Sequence, residues 1–345
     1  MVRTASANEP QTVEDAREET RVTSAAATEA MDPALIPASE VDGTIDVDGR
    51  SIPIRVLRPK DSATESSEES RKESAEESPQ DGSGGDAGAE SSPSGSGHGG
   101  AGLPTVVYFH GGGWTVGDID THLGHARRIC TQLGAVVVSV AYRLAPEHRF
   151  PAAFDDAVAA TTYVGEHLEE FGGSDQLVVA GDSAGGQLAT SVAIARRDAG
   201  QRLSAQLLLY PVTDVAGRYV DPLINAHYMS RRTSQHGYGL TLEGMVAYAQ
   251  LYVDEDSAAD WRVSPIRCAD LSGVAPAVIH TATLDVLRTE GNFYGDALRA
   301  AGVRVISREF PTLNHSYFGL GGVSAVADAA AGEAAGDVRE LLNLS

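Results

Sequence analysis

The segment Gly181-Asp182-Ser183-Ala184-Gly185-Gly186 follows an apolar run at 176–180 that reads as a strand. It precedes a helical pattern that runs to about residue 198, with Gly200 as its stop. A serine at such a strand-to-helix turn is a candidate nucleophile. Gly181 and Gly185 permit a turn too tight for a Cβ on either side, and the strain leaves the Ser183 hydroxyl exposed. Asp182 and Gly186 belong to the same turn and are expected to shape it. The following helix aims its first amides and its positive dipole end at the hydroxyl.

A second glycine-rich segment, His110-Gly111-Gly112-Gly113-Trp114, follows a predicted strand at 105–109. Three glycines let backbone N–H groups approach a substrate oxygen closely. The amides of Gly111 and Gly112, with that of Ala184, are the expected oxyanion hole, while His110 and Gly113 shape the loop. A phosphate-cradling loop would need a following lysine, and none follows.

A lone hydroxyl is a poor nucleophile, so Ser183 needs a base, and the base needs a carboxylate to orient it. Asp285 lies in Thr283-Leu284-Asp285-Val286-Leu287 after a predicted strand at 277–280. His315 lies in Leu313-Asn314-His315-Ser316-Tyr317 after one at 304–307. This places Ser183, Asp285 and His315 in the chain order Ser, Asp, His; Asp214, after a predicted strand at 206–209, is the rival acid. His98, His122, His125, His148 and His167 precede the serine, His227 and His236 fall in a polar aromatic stretch, and core packing accounts for His280. The chemistry these groups support is attack of Ser183 on the carbonyl of a small-molecule ester, an acyl-enzyme, and its hydrolysis. No metal and no organic cofactor is expected.

These loops need a scaffold. Short apolar runs at 105–109, 136–140, 177–180, 206–209, 277–280 and 304–307 alternate with helical stretches, which predicts an α/β fold with a mostly parallel sheet and helices on both faces. Runs at 44–47 and 52–57 flank Asp48-Gly49 and predict a hairpin; Pro53 cannot donate to a ladder, so its strand is expected to be an edge there. A helix is predicted over 12–21, with Thr12 as its N-cap, packed loosely on the rest. Between 61 and 102, ten acids stand against Arg71 and Lys72 with scarcely an apolar side chain, so this is expected to be a disordered insertion.

With 345 residues, 42% of them hydrophobic, the chain can bury a large core. A formal charge of −22 excludes a basic nucleic-acid footprint. Lys60 and Lys72 are the only lysines among 26 basic residues, against 48 acids, a composition expected of a cytoplasmic, halophilic protein active in molar salt. No apolar leader opens the sequence and no run is long enough to span a membrane, so a cytoplasmic location is the expectation. Cys130 and Cys268 are expected to be reduced, buried thiols. The oligomeric state, monomer or homodimer, stays open.

At these motifs the chain resembles the hormone-sensitive-lipase-like family of α/β-hydrolases, known for its Gly-Asp-Ser-Ala-Gly-Gly motif. The likeness covers residues 40–60 and 103–335, through Val106 to Trp114, Tyr142-Arg143-Leu144-Ala145-Pro146-Glu147, Phe150-Pro151-Ala152-Ala153 with Asp155-Asp156, and Gly181 to Gly186. The resemblance implies an eight-stranded α/β-hydrolase sheet, a serine carboxylesterase or lipase-like activity on short to medium acyl esters, and a small helical cap. On this view 1–40 is an N-terminal cap segment, 41–60 the first hairpin, 61–102 the insertion and 103–345 the catalytic domain, with 214–262 contributing to the cap. Tyr219, Tyr228, Tyr238, Tyr248 and Tyr252 are the candidates there for an acyl pocket. The family's Asp-Pro-Leu-x-Asp is Asp285-Val286-Leu287-Arg288-Thr289 here, and its His-Gly-Phe is His315-Ser316-Tyr317. Two alternatives remain: an amidase or peptidase with the same triad, and a non-catalytic ligand-binding member of the fold, against which His315 speaks.

Overall fold

The computed structural model describes residues 12–60, 102–236 and 239–344. The insertion, apart from Gly102, lies outside the described residues, as do His98 and Tyr238. Eight strands form one sheet: β1 Ser39–Val47, β2 Arg50–Arg58, β3 Leu103–Phe109, β4 Val136–Val140, β5 Gly173–Asp182, β6 Ala205–Leu209, β7 Ala277–Leu284 and β8 Val305–Asn314. Their order is β1-β2-β4-β3-β5-β6-β7-β8. β2 runs antiparallel to both β1 and β4, and the other pairs are parallel.

Asp48 (φ 51°) and Gly49 (φ 74°) close the β1–β2 hairpin, both left-handed, as a turn whose twist matches that of the strands requires. The edge expected at Pro53 is local only, because β2 is an inner strand. Its ladder with β4 ends at Ile54–Val140, so the missing N–H falls beyond the last pair, and the Pro53 carbonyl accepts from Ala141 at 2.9 Å.

The parallel strands are apolar without alternation because helices cover both faces. Val106, Tyr108, Val137 and Val178 pack with helices α2 Leu123–Leu133 and α7 Ala325–Leu342. The buried stripe of α7 is largely alanine (Ala327, Ala330, Ala331, Ala334), which lets it lie close to the sheet. Val107, Phe109, Val138 and Val179 face the other layer, formed by α3 Ala152–Glu166, α4 Ala184–Asp198 and α6 Arg288–Ala300. Over the carboxyl ends of the strands lie α1 Val13–Glu29 and α5 Leu242–Tyr252.

α1 starts with the expected cap, Thr12 and Asp15 bonding each other's backbone amides, and runs to Glu29, well past the predicted end. None of its residues is buried. Polar contacts hold it: the Arg17 guanidinium donates to both Glu147 carboxylate oxygens at 2.8 Å and to the Thr115 carbonyl at 2.9 Å. Among the described residues no helix is long and apolar enough to cross a membrane. Both cysteines are free. Burial pushes the Cys130 thiol up to about 12, whereas Cys268 is half-buried, not buried as expected.

Two register pairs set up the chemistry. β3 and β5 pair at Phe109–Gly181, so His110 and Asp182 leave the sheet side by side. β7 and β8 extend past their predicted ends through polar residues such as Thr281, Thr283 and Glu309, and pair at Leu284–Asn314; Asp285 and His315 are the next residues of each. The chain passes from β3 outward to β4 and then back to β5 on the other side of β3, so both glycine-rich loops lie at the topological switch point, where ligands bind in open α/β sheets.

Candidate active site

Ser183 has φ 54° and ψ −118°, a strained conformation that the surrounding contacts hold in place. Its N–H donates to the Leu209 carbonyl at 2.9 Å, and its carbonyl accepts from Gln187 at 3.1 Å and Val212 at 3.2 Å. The elbow glycines are required by space: a Cβ at Gly181 would meet the Gly185 carbonyl oxygen at 2.2 Å, and one at Gly185 would meet that of Phe109 at 2.0 Å.

His315 Nε2 lies 2.9 Å from Ser183 Oγ, and its Nδ1 lies 2.8 Å from Asp285 Oδ2. With Nδ1–H donating to the carboxylate, Nε2 is the acceptor of the hydroxyl proton, so hydroxyl, imidazole and carboxylate form one connected chain. Asp285 Oδ1 accepts the Leu287 N–H at 2.9 Å, which closes the acid turn without the family's proline. Ser316 holds φ 63° where the family has glycine, a left-handed position that glycine occupies without strain. The edge of the Tyr210 ring packs on the imidazole at 4.9 Å between centroids. The rival Asp214 is engaged elsewhere, with Arg267 at 2.7 and 2.9 Å and the Tyr228 hydroxyl at 2.6 Å.

The oxyanion expectation needs correction at Gly111. Its amide donates to Asp182 Oδ1 at 2.8 Å, an oxygen that also accepts from Tyr108 OH at 2.6 Å, so it is not available to a substrate. Gly112 (φ 108°) and Gly113 (φ 57°) line the cavity beside Ser183, and their amides have no acceptor among the described residues. The Ala184 amide, first of α4, has no intrahelical acceptor.

His110 acts on its own loop: it stacks on Tyr142 at 4.3 Å, its Nδ1 donates to the Gly111 carbonyl at 2.7 Å, and its own carbonyl accepts from Tyr142 OH at 2.7 Å. Trp114 ties the loop to α4 through a 2.9 Å bond to Gln187 and stacks on Tyr252. Asp182 therefore does more than shape the elbow, since it bridges the two glycine-rich loops. Burial pushes its carboxyl up, but His122, His125 and Tyr108 outweigh this and hold it well below the usual carboxylate range. The adjacency of the loops, invisible in sequence, conceals this role.

A cavity of about 440 Å³ opens over Ser183. Val212, Leu240, Met245 and Tyr248 line it from one side, and Thr20 and Ala27 of α1 from another. Of the candidate tyrosines only Tyr248 lines it among the described residues; Tyr219 and Tyr252 are fully buried, and Tyr228 binds Asp214. The α1 wall belongs to the segment 1–40 expected as a cap, and the residues it presents, 20, 23, 24 and 27, have the spacing of one helix face.

Burial lowers His110 to about 4 and His125 to about 3, against 6.5 for the unfolded chain. The unfolded chain therefore takes up more protons as pH falls. Stability is fully present above about pH 6.5 and declines towards pH 4 and 3. Urea midpoints should accordingly be lower at about pH 5 than at about pH 7.5; equal midpoints would contradict it.

A model of the alpha/beta hydrolase fold matches residues 106–319. The chain belongs to the α/β-hydrolase family. Within it, the chain is 41% identical over 239 residues to carboxylic ester hydrolase LipN of Mycobacterium tuberculosis, spanning 66% of this chain and 61% of that protein. It is also 41% identical over 221 residues to the carboxylesterase NlhH of the same species, spanning 62% and 66%. The match thus covers somewhat under two thirds of each relative's length. Among solved structures, the hyperthermophilic esterase from Pyrobaculum calidifontis aligns with TM-score 0.78 at 31% identity, covering 96% of this chain and 94% of that one. The eight-stranded mostly parallel sheet of this α/β-hydrolase agrees with the expected architecture.

Proposed function

We propose that the chain is a serine carboxylesterase acting on short to medium acyl esters, with Ser183 as nucleophile, His315 as general base and Asp285 as the group that orients it. The observation that carries this reading is the unbroken contact chain from Ser183 Oγ through His315 to Asp285, at 2.9 and 2.8 Å. The names of the relatives support the same reaction class.

His315 Nε2 takes the hydroxyl proton as Oγ attacks the ester carbonyl, and Asp285 stabilises the imidazolium that forms. The amides of Gly112, Gly113 and Ala184 meet the oxyanion, each worth roughly 2.7–4 kcal/mol. His315 returns the proton to the departing alcohol, and water repeats the cycle on the acyl-enzyme. α1 and the segment around α5 form the cap over the site. The acid excess supports activity in concentrated salt.

A p-nitrophenyl ester series in low and molar KCl, run beside matching anilides, tests the reading. Turnover should be highest for short acyl groups, persist in salt and exceed that of the anilides. Anilide turnover at a comparable kcat/KM would favour the amidase, and no ester turnover would favour a ligand-binding protein. Tyr248→Ala should move the preference towards longer acyl chains, because the ring walls the cavity beside Gly113. An unchanged profile would remove Tyr248 from the pocket. Gly112→Ala should lower kcat by about 10²–10³-fold, as loss of one oxyanion donor does, since its Cβ would meet the Val116 carbonyl oxygen at 2.2 Å and displace the loop. Wild-type kcat in that variant would exclude this amide.

A further inference from the structure

Beside the glycine-rich loop, three side chains converge that the proposed reaction does not use as acid, base or nucleophile. One ring nitrogen from each of His122 and His125 and a carboxylate oxygen of Asp182 lie within 4.8 Å of one another, and all three residues are buried. His122 caps α2 and His125 lies three positions on, so both imidazoles leave the same face of its first turn. Asp182 comes from the end of β5.

The polar atoms here are incompletely satisfied. His125 Nε2 is enclosed and has no hydrogen-bond partner, which a native interior rarely tolerates without a water or an ion. Thr121 Oγ1 lies 2.9 Å from His122 Nδ1 and holds that ring in place. His122 Nε2 lies 3.7 Å from Asp182 Oδ2, beyond hydrogen-bond distance. The arrangement matches the way ligating histidines are held, by a hydrogen bond on the second ring nitrogen. Asp182 is oriented likewise, with Oδ1 bonded to Tyr108 and Gly111 and Oδ2 towards His122.

We propose that His122, His125 and Asp182 form a binding site for a zinc-like divalent transition ion, reached from the cavity over Ser183, and that its occupancy inhibits the enzyme. Two imidazoles and one carboxylate suit zinc, cobalt or nickel better than calcium or magnesium, which take oxygen ligands. Bonds of about 2.0–2.1 Å in a tetrahedron separate ligand atoms by roughly 3.3 Å, so the three tips must draw together. The fourth position faces the cavity that His122, His125, Asp182 and Ser183 all line. Drawing Oδ2 towards an ion pulls on the carboxylate that holds Gly111, and hence on the loop supplying the proposed oxyanion donors. It also puts a dication beside the acyl site.

The binding arm of the test is independent of the esterase reading, and the inhibition arm rests on it. On the full chain stripped of metal, zinc should raise Tm by about 2 °C for each tenfold excess over its dissociation constant. Cobalt(II) should give the visible bands of a tetrahedral site. Zinc should inhibit p-nitrophenyl acetate hydrolysis, reversibly on adding a chelator, and calcium should do neither. In His125→Gln and His122→Gln, each compared with itself without metal, zinc sensitivity should fall at least tenfold. Equal responses to calcium and zinc, absence of cobalt bands in wild type, or unchanged zinc sensitivity in both variants would overturn the proposal. Binding without inhibition would overturn its inhibitory half. Wild-type protein inert to zinc would overturn the site itself.

Discussion

Replacing Ser183 by alanine is expected to lower kcat for a short p-nitrophenyl ester by about 10⁴–10⁶-fold, the range seen when the nucleophile of an acting triad is removed. Substrate binding should survive, because the cavity walls of Val212, Leu240, Met245 and Tyr248 are untouched. Stability should change little, since the substitution removes a single side-chain hydrogen bond, the one to His315 at 2.9 Å. Asp285→Asn is expected to cost about 10⁴-fold through the wrong imidazole tautomer, and adding it to Ser183→Ala should cost almost nothing more, because the three groups act as a unit. Steady-state kinetics on the two single variants and the double variant measure both effects. A serine variant retaining a tenth of the wild-type rate would end the triad reading.

The second large effect is on folding. Arg231 and Glu290 are both fully buried, with Nη2 and Oε2 at 2.6 Å, and the guanidinium is held between the rings of Tyr219 and Tyr228 at 4.3 and 4.2 Å. Glu290 also accepts from the Thr213 amide at 2.8 Å and from Tyr219 OH at 3.3 Å. Burial pushes its carboxyl up, with Arg231 pulling it back; the donors converging on it suit an ionised carboxylate. The pair ties the segment after β6 to α6, next to the Asp285 turn. Arg231→Met leaves an unpaired buried anion and should cost about 3–5 kcal/mol, whereas Arg231→Met with Glu290→Gln should recover most of it, because glutamine still accepts from Thr213 and carries no charge. Urea unfolding measures both, and a single-variant cost below about 1 kcal/mol would show that the site rehydrates or that Glu290 protonates.

Much of this was legible in the chain because it depends on local chemistry. The hairpin could be read because Asp48-Gly49 is one of the few pairs that accept two left-handed residues in succession. The elbow could be read because a Cβ at 181 collides with the turn's own backbone at Gly185, although the clash at 185 itself is with Phe109 of β3. The parallel strands announced themselves by apolar runs, and the runs failed where β7 and β8 continue through polar residues whose pairing is set by the neighbouring strand.

Ser183, Asp285 and His315 are in this sense properties of the amino-acid sequence: residue type, turn chemistry and order along the chain pick them out. Which amides face the cavity, and what Asp182 does, were decided only when β3 and β5 came into register. The Gly111 amide then fell within 2.8 Å of a carboxylate 71 positions away and became unavailable to the substrate. The same holds for α1 as a wall of the cavity and for the imidazoles beside Asp182. The physical reason is that a hydrogen bond acts over about 3 Å, so the partner of a donor is set by packing between distant segments, which local patterns of residue type do not encode.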